Sequence, residues 1–412
     1  MTIAKLSWKN ITSSPLNTFL SLLLMTFGVG IISLLFLLNN QVQQQLQRNL
    51  RSIDMVVGAK GSPLQLILSS VYHIDNPTGN ISFDEANAIS ENAMVETAIP
   101  LSFGDSYNGF RIVGTTHDYV DLYQGTLKEG QLWNYPLEVV LGSTVAEAHQ
   151  LQLGDTFYGT HGLVEGGHAH DDHIYYIVGI LEASNTVLDN LILTNTESVW
   201  EVHNHGHDEK HQCDDPDHHH QHNESDHHHS QPLMITSMLI SFKSPVALLQ
   251  LPRKINETTN LQAAVPSFEI NRLISLLGFG IQSINIIAII IILVSGLSIF
   301  ISLYNSLKKR RYELALMRVH GASRWQVVQL VLQEGLILSL LGTILGVLIS
   351  RLALIMVPLF IDKKYGMEAT SFGLLTEELW LLPFGLLVGV IASLVPIIQS
   401  FNINIPKTLS NA

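Results

Sequence analysis

The chain has 412 residues, 47% of them hydrophobic and only 14% charged, with a formal net charge of −13. An acidic balance of this size excludes a nucleic-acid binder, and so apolar a composition excludes a simple string of soluble domains. The single cysteine, Cys213, excludes an intramolecular disulfide framework.

Lys5 and Lys9 lie in a short polar segment, residues 1–15, ahead of a long apolar run at 16–38. Crossing roughly 30 Å of hydrocarbon takes about 20 helical residues, so this run reads as a first membrane span. It is followed by NNQVQQQLQRNL with no small-x-small cleavage pattern, which favours an uncleaved anchor over a secretory signal. Val42, Leu46, Leu50 and Ile53 then recur at helical spacing among Gln and Arg, predicting that the helix continues beyond the membrane as an amphipathic stalk.

Residues 39–281 read as this stalk plus a large α+β domain. A short helix is expected at 63–71. From Ile99 onward, β-rich runs alternate with glycine-containing breaks: FRIVGTT, LEVVLGS, DTFYGT, IYYIVGIL, NLILTN and MITSMLISF. STVAEAHQLQ interrupts them as a helix with Ser143 as its expected cap. Residues 246–256 read as helical, and 266–277 lead back to the membrane.

Two histidine-rich stretches interrupt the domain. The shorter, residues 161–173, reads HGLVEGGHAHDDH and joins two expected strands; its His161, His168, His170 and His173 could converge at a hairpin tip, with Asp171 or Asp172. The longer, residues 203–229, holds His203, His205, His207, His211, His218, His219, His220, His222, His227, His228 and His229, seven carboxylates and Cys213. Imidazole, thiolate and carboxylate are the donors that zinc and similar ions accept. His203, His205 and His207 alternate, so extended backbone would put them on one face. Nothing in the longer stretch would fold alone, so several interchangeable low-specificity sites are expected instead of one cage; a solvated loop is the bland reading of both. His207-Asp-Glu-Lys-His211 looks like the zincin pattern, but Asp208 stands where the general-base glutamate belongs, and no apolar-periodic helix carries it. His73 and His117, single histidines beside carboxylates, read as hydrogen-bond partners.

Three further spans follow, at 282–304, 327–357 and 379–400. The loop between the first two of these, residues 305–326, carries Lys308, Lys309, Arg310, Arg311, Arg318 and Arg324. By the positive-inside tendency this loop is cytoplasmic. Both termini, 1–15 and 401–412, are then cytoplasmic too, and 39–281 and the loop 358–378 lie outside. Within the basic loop the sequence predicts a helix at Arg311–Val319, a stop at Gly321 with His320 beside it, and a capping box from Ser323 and Gln326 that starts the next span. Gly342 and Gly346 form a GxxxG pair that lets another helix approach closely. Glu334, the acid inside this span, is expected to reach the interface or cap a neighbouring helix.

The elbow YELALMRVHGASRWQVVQLVLQEGLILSLLGTILG, with one amino-terminal span, a large outer domain and three more spans, resembles the FtsX/MacB-type (type VII) ABC permease family. NINIPKTL near the C-terminus is similar to that family's proline-containing signature, and VVLGSTVAEAHQLQLGDTF and IYYIVGIL resemble its periplasmic fold. The resemblance implies a bacterial inner-membrane protein working as a homodimer, or with a related permease, on a separate dimeric ABC ATPase that binds the ATP. It also implies mechanotransmission, in which ATP-driven motion reaches the outer domain through the stalk. By position, Glu313, Leu314, Arg318, Gly321 and Ala322 would meet the ATPase. The chain itself lacks a phosphate loop: Gly58-Ala-Lys-Gly61 has the wrong spacing. No intrinsic cofactor is expected beyond Zn²⁺ on the histidine-rich stretches, with a periplasmic metal-binding protein as a further partner. Two readings compete with zinc-linked transport: a lipoprotein-releasing or drug- or peptide-export permease with an incidental loop, and a membrane-anchored metal buffer or sensor.

Overall fold

A computed structural model describes residues 3–13, 15–160, 169–204, 233–360 and 375–401. The chain divides into a helical unit, residues 1–43, 275–362 and 367–412, and an α+β unit, residues 44–274 with 363–366.

The helical unit is built from α1 (Ile3–Thr12), α2 (Pro15–Leu50), α9 (Pro266–Lys309), α10 (Arg311–Val319), α11 (Arg324–Phe360), α12 (Thr376–Leu379) and α13 (Leu381–Phe401); the last turns of α2 and the first of α9 belong to the α+β unit. Pro15–Leu50, Gln282–Lys309, Arg324–Met356 and Thr376–Ser400 are long and apolar enough to cross a membrane. Their helicity follows from composition: in hydrocarbon every backbone donor must be satisfied within the segment. Gly346 meets α2 closely, since a Cβ there would sit 2.9 Å from the Thr26 carbonyl oxygen and 2.9 Å from Val29 Cβ. The helix α1, absent from the sequence reading, buries Ser7, Asn10 and Ile11 and exposes Trp8. Its ten residues are amphipathic, and the i, i+3, i+4 spacing of Ser7, Asn10 and Ile11 marks the buried face.

In the α+β unit the elements run β1 (Met55–Ala59), α3 (Pro63–Ser70), β2 (Ile81–Ser82), α4 (Phe83–Ser90), β3 (Val95–Tyr107), β4 (Phe110–Gly114), α5 (Asp118–Leu122), β5 (Leu127–Gly130), β6 (Glu138–Leu141), α6 (Ser143–His149), β7 (Thr156–Thr160), β8 (Ala169–Leu181), a 3-10 turn (Val187–Asn190), β9 (Leu191–Thr194), α7 (Thr196–Asn204), β10 (Met234–Ile235), β11 (Ser237–Phe242), α8 (Pro245–Thr258) and β12 (Leu261–Ala264). The main sheet runs β12-β1-β11-β3-β4-β9-β6-β8-β5, and β7 pairs with both β3 and β8. Strands β3, β4, β9, β6, β8 and β7 therefore close a circuit of pairing, with Ser106 opposite Thr160 as the closing contact.

Two cores flank the first half of the sheet, and the period of two in a strand sorts side chains between them. Val56 and Leu239 face a core with Leu66, Tyr119, Tyr123 and Leu188, whereas Met55, Val57, Met238 and Ile240 face one with Leu251 and Ile255. A third core, with Ile112, Leu141, Phe157, Tyr175 and Ile177, belongs to the closed circuit.

Several expectations change. Gly142, not Ser143, holds the cap position of α6; Ser143 is the first helical residue. Helix α2 ends at Leu50, so Ile53 lies beyond it and packs as core instead. MITSMLISF breaks at Thr236, whose hydroxyl accepts from the Phe103 amide at 2.9 Å, into β10 and β11. Residues 169–173 are part of β8 and not of a loop, and residues 203 and 204 close α7.

Candidate functional site

The elbow joins α10 to α11 with local hydrogen bonds that its sequence specifies. His320 closes the helix with its amide and Nδ1 on the Leu316 carbonyl, at 3.0 and 2.8 Å. Gly321 takes φ +98°, a conformation that disfavours any side chain, and lets the Ala322 amide donate back to the Met317 carbonyl at 3.0 Å. Ser323 and Gln326 form the reciprocal box: the Gln326 amide donates to Ser323 Oγ at 3.2 Å, and the Ser323 amide donates to Gln326 Oε1 at 2.8 Å.

Of the residues expected to meet a partner, Glu313 and Gly321 are exposed and Arg318 and Ala322 half-buried. Leu314 is not available: it is buried with Leu307, Val327, Leu330 and Val331. Sequence reasoning missed the apolar stripe on the opposite side of α10, where Tyr312, Leu316 and Val319 are 48%, 41% and 58% exposed, and Trp325, 70% exposed, follows across the turn. Their i, i+4, i+7 spacing was the available signal.

Behind the elbow, Asn10 of α1 donates through Nδ2 to Glu334 Oε1 of α11, and Ser7 Oγ donates to the Leu330 carbonyl at 3.4 Å. Glu334 is thus buried, with a side chain of the neighbouring helix α1 as its partner. Near the other end of α11, Arg351 pairs with Glu378, whose second oxygen accepts from Ser33 Oγ at 2.6 Å. Neither Arg351 nor Glu378 was singled out from the sequence.

In the α+β unit, His73 adopts φ +56° and its Nε2 lies 2.8 Å from Tyr119 Oη. Burial, and then the positive charge of Arg111, hold its imidazole well below the usual histidine range. Burial also brings the Arg111 guanidinium down to about 10, with Asp75 opposing the shift. That guanidinium stacks on Phe103 at 4.6 Å and donates to the Asp75 carbonyl at 2.9 Å. His117 Nε2 is 2.9 Å from the Trp133 carbonyl oxygen. Both histidines have hydrogen-bond partners, but those partners are a tyrosine and a backbone carbonyl, not the adjacent carboxylates.

Of the candidate metal ligands, His170 and His173 fall on β8 and His203 on α7. His161, His168, His205, His207, His211, Cys213, His218, His219, His220, His222, His227, His228 and His229 lie outside the described residues. Among the described residues no three His, Cys, Asp or Glu side chains gather into a metal-binding group.

Comparison with known proteins accounts for both units. Residues 18–256 match the MacB-like periplasmic core domain family, and residues 285–405 match the FtsX-like permease C-terminal family. Among solved structures, the periplasmic region of MacB from Actinobacillus actinomycetemcomitans is 13% identical, with a TM-score of 0.34, over 56% of this chain and 98% of that one. The extracellular domain of the ABC-type transporter YknZ from Gram-positive bacteria is 10% identical, with a TM-score of 0.31, over 51% of this chain and 98% of that one. No curated protein matches the chain. The family matches span the elbow, the four apolar helices and the α+β unit between the first and second of them, so the chain is a multi-pass membrane protein and belongs to the FtsX-like permeases with a MacB-like periplasmic core domain.

Proposed function

We propose that this chain is the transmembrane subunit of an ABC transporter of the mechanotransmission type, paired with a second copy or a related permease and driven by two copies of a separate ATPase. The elbow carries this reading. Its exposed stripe of Tyr312, Leu316 and Val319, with Trp325 beyond the turn and Glu313 and Arg318 alongside, suits a helix docking into a groove of a partner. The chain has no phosphate-cradling loop of its own, so the energy has to come from that partner. In this reading the basic loop 305–326 and both termini are cytoplasmic, the domain at 39–281 is outside, and the membrane is a bacterial inner membrane.

The cargo is linked to transition-metal handling, zinc first. Support comes from the eleven histidines, seven carboxylates and one cysteine of residues 203–229, and from residues 161–173, whose flanks the paired strands β7 and β8 hold. Release of lipoproteins and export of drugs or peptides are the competing cargo classes within the family reading. A passive metal buffer is the rival outside it.

The test is purification of the intact chain from its native membrane. An ATP-hydrolysing protein should copurify in equal amount, and Glu313→Lys with Arg318→Glu should lower that hydrolysis by an order of magnitude or release the partner. Metal binding with no ATP-hydrolysing partner would leave the buffer reading standing in its place.

A further inference from the structure

The connections that α2 and α9 make between the units lead to neighbouring strands. Helix α2 leads into β1, and β12 leads into α9; β1 and β12 pair antiparallel, with Val56 opposite Ala264. By chain connectivity alone, a force on either helix would reach one end of the sheet. The hairpin β7–β8 belongs to the other half.

A set of hydrogen bonds bridges that gap. The last turn of a helix has carbonyls without intrahelical partners. In α2 the Asn49 carbonyl is one of these and accepts from Tyr123 Oη at 3.1 Å; a turn earlier, the Leu46 carbonyl accepts from Tyr72 Oη at 3.2 Å in addition to its place in the helix. Asn49 Oδ1 accepts from the Val187 amide at 3.2 Å, and Gln45 Nε2 donates to the Asn185 carbonyl at 3.1 Å. Tyr72 follows α3, Tyr123 follows α5 between β4 and β5, and Asn185 and Val187 sit between β8 and β9. Asn49 is only 6% exposed.

Burial holds the Tyr72, Tyr119 and Tyr123 hydroxyls above the usual tyrosine range, so they stay protonated and able to donate. Tyr119 stands edge-on to Tyr123 at 5.3 Å. Helix α9 also enters this core, with the apolar side chains of Ile270, Leu273 and Ile274. Apolar contact is non-directional and tolerates sliding; a directed hydrogen bond does not. One residue of helix rise is about 1.5 Å, enough to break bonds of 3.1 to 3.2 Å.

We propose that Asn49, Tyr72 and Tyr123 are positioning residues, a joint that ties movement of α2 to the β8–β9 connection and so to the hairpin leading into the 161–173 histidine segment. The proposal rests on the transmission reading above, and adds which side chains couple α2 to the rest of the domain.

Hydrogen exchange on the intact chain, copurified with its ATPase in lipid nanodiscs with and without ATP and vanadate, tests it. In the unaltered complex ATP should change exchange both in β1 and β12 and at residues 184–191. In Tyr72→Phe/Tyr123→Phe, which keeps both rings packed, the response at 184–191 should fall several-fold while that of β1 and β12 persists. Asn49→Ala should act likewise, and Asn49→Asp, which keeps an oxygen to accept from Val187, should restore the response. A nucleotide response at 184–191 that survives undiminished in these variants overturns the joint and leaves transmission intact. Absence of any nucleotide response in residues 44–274 of the unaltered complex, with ATP being hydrolysed, overturns the transmission reading and the joint with it.

Discussion

Arg351 and Glu378 form an ion pair inside the helical unit, with side chains 13% and 1% exposed. Glu378 also accepts from the Leu375 amide at 3.0 Å, and Ser33 Oγ lies 2.7 Å from Ser350 Oγ, so α2, α11 and α12 meet on one carboxylate. Removing one member of a buried pair leaves an uncompensated charge, typically at a cost of about 3–5 kcal/mol. Arg351→Met and Glu378→Leu should each lower the thermal midpoint in detergent strongly, and the double variant should recover much of the loss. Additive losses would show that the two side chains act independently.

Asn10 and Glu334 make a second polar contact, between α1 and α11. Asn10→Ala strands a buried carboxylate, which should cost about 1–3 kcal/mol. Glu334→Gln keeps an acceptor for Asn10 and should cost less than Glu334→Leu. Equal losses in these two variants, measured by thermal unfolding, would remove the hydrogen bond from the explanation.

His73 sets a pH dependence whose sign is fixed. Its folded-state pKa lies below the ordinary 6.5, so the unfolded chain binds the extra proton as pH falls. The associated stability is complete above about 6.5 and declines below it, towards the folded value, at about 1.4 kcal/mol per pH unit. His73→Asn, which suits the positive φ, should flatten this decline between about pH 6.5 and 5.5. A decline of the same steepness in the variant would assign it to other groups.

How much of this was legible depends on how local the signals were. Gly321 and the Ser323–Gln326 pair announce the elbow within six residues, and the structure carries the hydrogen bonds they imply. The strands in FRIVGTT and NLILTN were readable as β-rich runs between breaks. MVVGA was not: β1 is buried on both faces, so it shows no alternation, and Gly58 lies where a Cβ would come 2.4 Å from Leu66 Cδ1. Strand β3 escaped because Pro100 and Gly104 interrupt its thirteen residues. The partners of Glu334, Arg351 and Asn49 lie 324, 27 and 138 residues away, a pairing that no spacing rule reveals.

Zinc binding by the histidine-rich stretches is directly measurable. Titration of Zn²⁺ into the intact chain should show several sites, and deletion of residues 203–229 should remove most of them. Equal stoichiometry in the two proteins would take the longer stretch out of the account and leave residues 161–173 as the candidate.

The central claim is that hydrolysis by a separate ATPase moves the α+β unit. Its most direct test is pulsed dipolar spectroscopy on the complex in lipid, with Cys213→Ser and a spin label at Tyr135→Cys, a position 70% exposed. The label-to-label distance between two copies should shift between the nucleotide-free and vanadate-trapped states. An unchanged distance distribution, with ATP turnover measured in the same sample, would contradict the account.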